Sequence, residues 1–127
     1  MSGVTYDTGA LVAAERNDRR MWALHAGFLA EEVSPVVPAA VLAEAWRGGS
    51  RQASLSRLLA MCLVEPLNDD LARRVGVLAG RAAHDDVVDI SVVEGAARRG
   101  DAVVTSDPRH IRKIAAAAHV RLKIEKV

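Results

Sequence analysis

The sequence has little cysteine and few aromatic residues, and each scarcity excludes a class of protein. Its single cysteine, Cys62, cannot form a disulfide within the chain, which excludes a disulfide-stabilised secreted domain and fits the reducing cytosol. The chain has one tyrosine, one phenylalanine and two tryptophans. If the protein binds nucleic acid, base stacking on aromatic rings therefore cannot be the main mode of recognition.

A long apolar run is also missing. The longest, residues 33–46, is interrupted by Ser34, two prolines and Glu44, and it is too short to span a bilayer. The apolar core of a signal peptide is not found either, because Tyr6 and Asp7 interrupt the first residues. We therefore expect a soluble protein of the cytoplasm with no membrane segment.

Charge of one sign is not in excess. The 17 basic and 16 acidic residues nearly balance, so any binding of nucleic acid must use a local patch rather than bulk charge. Most of the basic residues are arginines, which fits biased codon usage and phosphate recognition about equally. With 127 residues, half of them hydrophobic, the chain is long enough for one globular domain covering residues 1–127.

Short apolar segments alternate with segments of helical periodicity. Strands are expected at residues 3–6, 33–37, 102–105 and 120–124, with a weaker edge strand at 64–67. Pro66 confines that last strand to an edge because it cannot donate a ladder hydrogen bond. Helices between the strands predict an α/β fold of three α/β/α layers, with a central parallel sheet covered on both faces.

Two apolar helix faces have more than one interpretation. Leu55, Leu58 and Leu59 form a stripe that is either core or, if exposed, a dimer or partner surface, and core packing is the commoner case. His25 lies on the apolar face of the helix that Asp18 is expected to cap. We expect His25 to be a core or rim histidine rather than a metal ligand.

The segment over residues 84–107 carries two groups of acids. Asp85, Asp86 and Asp89 lie at the start of an expected helix, where the helix dipole favours acids, so ordinary capping accounts for either Asp86 or Asp89. Capping does not account well for three acids within five residues. Asp107 lies just after an expected strand.

Asp7 also follows an expected strand, and ligands of parallel sheets bind beyond the carboxyl ends of the strands. Glu44 is the only ionisable residue between 39 and 46, so it either faces solvent or needs a metal ion or a hydrogen-bonded partner. Carboxylates about 4 Å apart repel by about 4 kcal/mol at an effective dielectric of about 20. The simplest reason to keep Asp7, Glu44, Asp89 and Asp107 is a shared divalent-metal site.

This order of acids on an α/β pattern resembles the PIN-domain ribonucleases, and most of all the VapC toxins of bacterial toxin–antitoxin pairs. The segment from Asp89 to Asp107 is similar to the C-terminal signature of the family in order and length, with Gly100 between them and Ala102-Val103-Val104-Thr105 before the last acid. The resemblance covers nearly the whole chain and implies a PIN-like domain.

The resemblance implies that Asp7, Glu44, Asp89 and Asp107 form an acidic quartet that uses Mg²⁺ or Mn²⁺, ions that prefer oxygen ligands. Asp7, Asp89 and Asp107 are expected to coordinate the ion directly or through water. Glu44 is expected to position or deprotonate the water that attacks an RNA phosphodiester bond. Asp86 is a rival for the third acid, although the distance to Asp107 along the chain favours Asp89.

The resemblance also implies substrates and partners. The expected substrate is a structured RNA such as tRNA or rRNA, and the expected assembly is a homodimer. A VapB-like antitoxin is expected to inhibit the enzyme by covering a helical groove and pointing a basic side chain at the acids. Thr105 or Ser106 matches the hydroxyl that accompanies the last acid, whereas Asp85 has no assignable role.

Three other functions make different demands on the sequence. A response-regulator phosphoacceptor domain needs a lysine after a late strand, but Lys113, Lys123 and Lys126 do not follow a strand suitably. A haloacid-dehalogenase-like phosphatase needs Asp-x-Asp after the first strand, whereas this chain has Asp7-Thr8-Gly9. A non-catalytic PIN-like module that binds RNA or protein remains the main alternative, and the complete acidic quartet argues against it.

Overall fold

The structure is a computed structural model that describes residues 3–127. The strands are β1 (Val4–Tyr6), β2 (Val36–Pro38), β3 (Leu63–Glu65), β4 (Ala102–Thr105) and β5 (Lys123–Lys126). The helices are α1 (Thr8–Glu15), α2 (Arg19–Ala30), α3 (Ala39–Ala45), α4 (Ala53–Leu59), α5 (Asp69–Ala82), α6 (Val87–Arg99) and α7 (Pro108–Ala117). A short 3-10 helix (Ser50–Gln52) precedes α4.

The five strands form one sheet in the order β3-β2-β1-β4-β5, and every neighbouring pair is parallel. The first strand in the sequence therefore lies at the centre of the sheet, flanked by β2 and β4. The predicted α/β fold of three α/β/α layers with a central parallel sheet is confirmed. None of the helices in the described part of the chain combines the length and the apolar character needed to cross a membrane.

The centre of the sheet is buried. Val4, Thr5 and Tyr6 of β1 are at most 1% exposed, as expected for a parallel strand with helices on both faces. The Tyr6 hydroxyl and His25 Nδ1 are 2.8 Å apart and form a buried hydrogen bond. Burial lowers the pKa of His25, so the prediction that this histidine belongs to the core is confirmed.

The leucine stripe is not a partner surface. Leu55 and Leu58 are fully buried in the core, and Leu59 is half-buried against it. The partner-surface interpretation of the stripe is therefore wrong, because these side chains are covered within the chain itself. The exposed apolar side chains of this region are instead Met61, Leu63 and Val64, at and beside the edge strand β3.

The observed bounds of β2, β3 and β5 differ from the predicted bounds by one to three residues. Local hydrogen bonds explain the later starts of β2 and β5. The Val33 N–H donates to Phe28 O at 2.9 Å, so this residue closes the end of α2 instead of opening β2. Val120 N–H likewise donates to Ala115 O at 2.9 Å, so β5 begins at Lys123 rather than at residue 120. The edge strand begins at Leu63, where the backbone N–H donates to Pro35 O at 2.8 Å.

Candidate metal centre

Asp7 and Asp107 lie at the carboxyl ends of adjacent strands. Asp7 directly follows β1, and its N–H donates to Val104 O of β4 at 3.2 Å. The chain turns after β4, where the Asp107 N–H donates to the Thr105 hydroxyl oxygen at 2.9 Å. Because β1 and β4 pair in parallel, with Tyr6 opposite Val104, both acids lie at the carboxyl ends of the strands, as predicted.

Asp7 is a buried acid that also caps a helix. Its Oδ1 accepts from the Ala10 N–H at 2.9 Å, so Asp7 is the N-cap of α1. Burial raises the pKa of Asp7, and the nearby charge of Asp89 raises it further. Hydrogen bonds from the Thr105 hydroxyl and from Ala10 partly offset this rise in pKa. Thr105 therefore touches both strand-end acids.

Gly9 allows α1 to approach the loop that carries Asp107. A Cβ atom at Gly9 would collide with the Ser106 side chain and would lie 3.1 Å from the Ser106 backbone nitrogen. A residue without a side chain is therefore needed at this close approach of backbone. The start of α1 and the end of β4 are thereby held together at the acids.

Asp86 and Asp89 have different roles. The exposed Asp86 is the N-cap of α6, and its Oδ1 accepts from the Val88 N–H at 3.0 Å and from the Asp89 N–H at 3.2 Å. Asp89 is half-buried in the first turn of α6, with its Oδ2 2.7 Å from His110 Nε2. Burial raises the pKa of Asp89, and the His110 hydrogen bond offsets only part of that rise. Helix capping therefore accounts for Asp86 and does not account for Asp89.

The other two predicted acids are exposed. Asp107 is the N-cap of α7 and accepts from the His110 N–H at 3.2 Å, so it is tied to the residue that contacts Asp89. Glu44 lies on α3 with an exposed side chain, and within residues 3–127 it makes no side-chain hydrogen bond or ion pair. The solvent-facing interpretation of Glu44 is therefore observed, and Glu44 is not joined to the other three acids by direct contacts. Asp85 is exposed as well.

The acids that lie fully or partly out of solvent differ in whether a basic side chain neutralises their charge. Asp101 is 6% exposed, but its Oδ2 lies 2.9 Å from Arg99 Nε and 2.8 Å from the Thr5 hydroxyl. Glu65 is paired with Arg98 and Arg99 at 2.6 Å and 2.8 Å. Asp7 is 7% exposed, yet across residues 3–127 no basic side chain lies within ion-pair distance of it. Asp7 is therefore the buried acid whose charge the described side chains leave uncompensated.

Two histidines near Asp89 were not identified from the sequence. Ligand atoms of His84, Asp89 and His110 all lie within 4.8 Å of one another. The available signals were the position of His84 at the start of the acidic segment and of His110 three residues after Asp107. Neither spacing corresponds to a metal-binding motif, because the three residues come from three different elements.

Asp7, Asp89 and Asp107 do not form a compact group of ligands, because the acids and histidines of residues 3–127 whose ligand atoms lie within 4.8 Å of one another are His84, Asp89 and His110. Asp7, Asp89 and Asp107 offer carboxylate oxygens at one end of the sheet, and Asp7 and Asp89 lie close enough for the charge of one to raise the pKa of the other. Mg²⁺ and Mn²⁺ take such oxygen ligands and keep several waters. A bound cation would supply the positive charge that Asp7 lacks.

Comparison with protein families gives one match. The PIN domain model matches residues 4–117, which is most of the chain. No curated protein matches the sequence.

Solved structures share the fold at low identity. VapBC2 from Rickettsia felis, bound to a DNA fragment from its promoter, has a TM-score of 0.72 and 15% identity over 98% of each chain. FitAB bound to the IR36 DNA fragment has a TM-score of 0.63 and 16% identity over 95% of this chain and 94% of that chain. PAE2754 from Pyrobaculum aerophilum has a TM-score of 0.63 and 18% identity over 97% of this chain and 83% of that chain.

Proposed function

The chain belongs to the PIN domain family, and we propose that it is a metal-dependent endoribonuclease that cleaves RNA phosphodiester bonds. The single observation that supports this most strongly is Asp7, a buried carboxylate with an acid neighbour and no basic partner among residues 3–127. A structural acid in such a position would be paired, as Asp101 is with Arg99. An acid that holds a cation needs no such partner.

In this proposal Asp7, Asp89 and Asp107 hold Mg²⁺ or Mn²⁺, directly or through water. When bound, the ion lowers the pKa of water and offsets negative charge on the phosphoryl oxygens. Thr105 orients the site because its hydroxyl accepts from the Asp107 N–H and donates to Asp7. Glu44, exposed on α3, accepts the proton of the attacking water or positions that water.

Arginine side chains and backbone geometry would hold the RNA. Arg16 lines an open cavity of about 480 Å³ together with Thr8, Gly9 and Ser106, next to the strand-end acids. Contacts between arginine and phosphate suit a structured substrate such as tRNA or rRNA, since the chain offers few aromatic rings for stacking.

We further propose that the protein is the toxin of a VapBC-type pair, acting in the cytoplasm as a homodimer that a VapB-like antitoxin inhibits. The support is the fold shared with the VapBC2 and FitAB structures. The leucine stripe no longer supports partner binding, because Leu55 and Leu58 are buried. The exposed apolar side chains of Met61, Leu63 and Val64 at the sheet edge are the better candidates for a surface between protomers.

A cleavage assay tests the nuclease proposal. The purified protein is expected to cleave tRNA or rRNA in the presence of Mg²⁺ or Mn²⁺ and to lose this activity when EDTA is added, because the acids alone do not supply positive charge. Undiminished cleavage in EDTA would contradict metal dependence. No cleavage of any structured RNA with either ion would favour a non-catalytic PIN-like binding module.

Co-expression tests the toxin proposal. The product of the adjacent reading frame, expressed with this chain, is expected to form a stable complex in which RNA cleavage is suppressed. Size-exclusion chromatography with light scattering measures the complex, and the cleavage assay measures its activity. Recovery of a free, active monomer from that co-expression would contradict the antitoxin and homodimer proposals.

A further inference from the structure

Beside the acids lies a second group of donor atoms that the nuclease proposal does not use. His84 Nε2 and His110 Nε2 lie 3.8 Å and 2.7 Å from the same oxygen, Asp89 Oδ2. The two imidazole rings pack in a T-shaped, edge-to-face arrangement, with centroids 5.4 Å apart. Two nitrogens and one carboxylate oxygen therefore lie within 4.8 Å of one another.

Each of the three donors is held by the end of a different helix. His84 follows the C-cap residue of α5, Ala83, which is left-handed (φ 51°), and the His84 N–H donates to Ala79 O at 3.1 Å. Asp89 lies in the first turn of α6 and His110 in the first turn of α7. Donors on rigid elements lose little freedom when they bind an ion.

His84 Nε2 has no other role in the described structure. It is shielded from solvent and has no hydrogen-bond partner among residues 3–127, and 3.8 Å to Asp89 is too long for a hydrogen bond. Buried polar atoms normally have a partner, so an unpartnered nitrogen that faces a carboxylate calls for an explanation. A histidine that served only to pair with Asp89 would lie at the 2.7 Å observed for His110.

The distances fit a small transition-metal ion. Ligands bound tetrahedrally at about 2.0–2.1 Å lie about 3.3 Å from one another. The 2.7 Å and 3.8 Å separations on Asp89 Oδ2 bracket that value, so each needs to change by about 0.5 Å. The local charge is mixed: Lys113 lines the same small cavity as His84 and His110, whereas the negative charge of Asp86 acts on Asp89.

We propose that His84, Asp89 and His110 form a second cation site, which binds a transition-metal ion such as Zn²⁺ or Co²⁺ and discriminates against Mg²⁺. Imidazole nitrogen is a good ligand for transition ions, whereas Mg²⁺ takes oxygen ligands. The metal takes the lone pair of each imidazole nitrogen, so any proton on that nitrogen goes to solvent when the ion binds. The site shares Asp89 with the proposed nuclease centre, but it is defined by binding and does not require RNA cleavage.

Visible absorption of Co²⁺ bound to tag-free protein tests the site. We expect one Co²⁺ per chain with the bands of a histidine-ligated ion, displaced by Zn²⁺ but not by a large excess of Mg²⁺. His84→Ala and His110→Gln should each weaken binding on the order of a hundredfold. His119→Ala, which changes an exposed histidine, should leave Co²⁺ binding unchanged.

The His84→Ala variant decides the test, because the His84 side-chain nitrogen makes no hydrogen bond whose loss would destabilise the fold. Unchanged Co²⁺ binding by a folded His84→Ala protein would overturn the proposal. Displacement of Co²⁺ by Mg²⁺ would show that the acids bind the ion and would overturn the proposal as well. Intact Co²⁺ binding in a protein that cleaves no RNA would support this site and contradict only the nuclease proposal.

Discussion

Asp7→Asn lowers the rate of metal-dependent RNA cleavage by about a thousandfold or more, if Asp7 holds the ion that the reaction needs. Asparagine has nearly the same shape and caps helices well, so the hydrogen bond to the Ala10 N–H at the start of α1 is kept. The substitution therefore removes the charge of the side chain and keeps the fold intact. The measurement is single-turnover cleavage of tRNA or rRNA with Mn²⁺ or Mg²⁺ at several concentrations.

A matched control separates loss of the site from loss of charge in general. Asp69→Asn removes an exposed acid that pairs with Arg73 at 3.1 Å, far from the proposed chemistry, and should leave the rate unchanged. Circular dichroism should show both variants folded. An Asp7→Asn protein that cleaves at the wild-type rate would contradict the assignment of Asp7 to the metal centre.

Asp89→Asn should raise the melting temperature of the metal-free protein at neutral pH and low salt. Burial and the neighbouring acid Asp86 disfavour the Asp89 carboxylate, and the His110 hydrogen bond offsets only part of this. Asparagine can still accept that hydrogen bond through its amide oxygen. The expected gain is roughly 4 °C for each kcal/mol of relieved repulsion and desolvation.

Divalent ions should reverse the order of the two melting temperatures, so that the wild type melts higher than Asp89→Asn. At about 100 times its Kd, an ion that binds only the folded state adds about 2.7 kcal/mol to stability. The wild type should therefore melt higher when Mg²⁺ or Mn²⁺ is added, and Asp89→Asn should respond much less. Asp89 would be a purely structural residue if the metal-free Asp89→Asn protein melted at or below the wild-type temperature. In that case added Mg²⁺ or Mn²⁺ would raise the melting temperature of both proteins equally.

The stability of the metal-free protein should depend on pH through these buried acids. The folded-state pKa values of Asp7 and Asp89 are raised above their ordinary value of 3.8, mainly by burial, so the folded protein binds these protons more tightly than the unfolded chain. The metal-free protein should thus gain stability as pH falls through the raised values, and the gain should level off below the ordinary pKa. Asp89→Asn should reduce this gain.

Sequence patterns predicted the parts of the site that depend on strand ends. Asp7 and Asp107 follow short apolar segments, and the parallel pairing of β1 with β4 then brings them to one edge of the sheet. The choice between Asp86 and Asp89 could not be predicted in this way, because it depends on the single residue at which α6 begins. With Val87 as the first helical residue, Asp86 becomes the cap and Asp89 is left for other contacts.

The features that the sequence left open or misplaced depend on packing between distant elements. The leucine stripe had two interpretations, because periodicity alone cannot distinguish the packing of α4 against α1 from an exposed face. The last strand was predicted three residues too early, because Lys123, Glu125 and Lys126 of β5 lack the apolar pattern that identifies inner strands. The meeting of His84 with His110 requires the end of α5 and the start of α7 to lie beside α6.

The most direct test of the proposed metal centre is the position of Mn²⁺ in crystals grown with the ion, located by its anomalous scattering. We predict a peak at coordination distance from the carboxylates of Asp7, Asp89 and Asp107, directly or through water, and its loss in crystals of Asp7→Asn. A map in which Mn²⁺ is absent from these acids, or in which the peak is unchanged in Asp7→Asn, would contradict a metal-dependent nuclease site at the ends of β1 and β4.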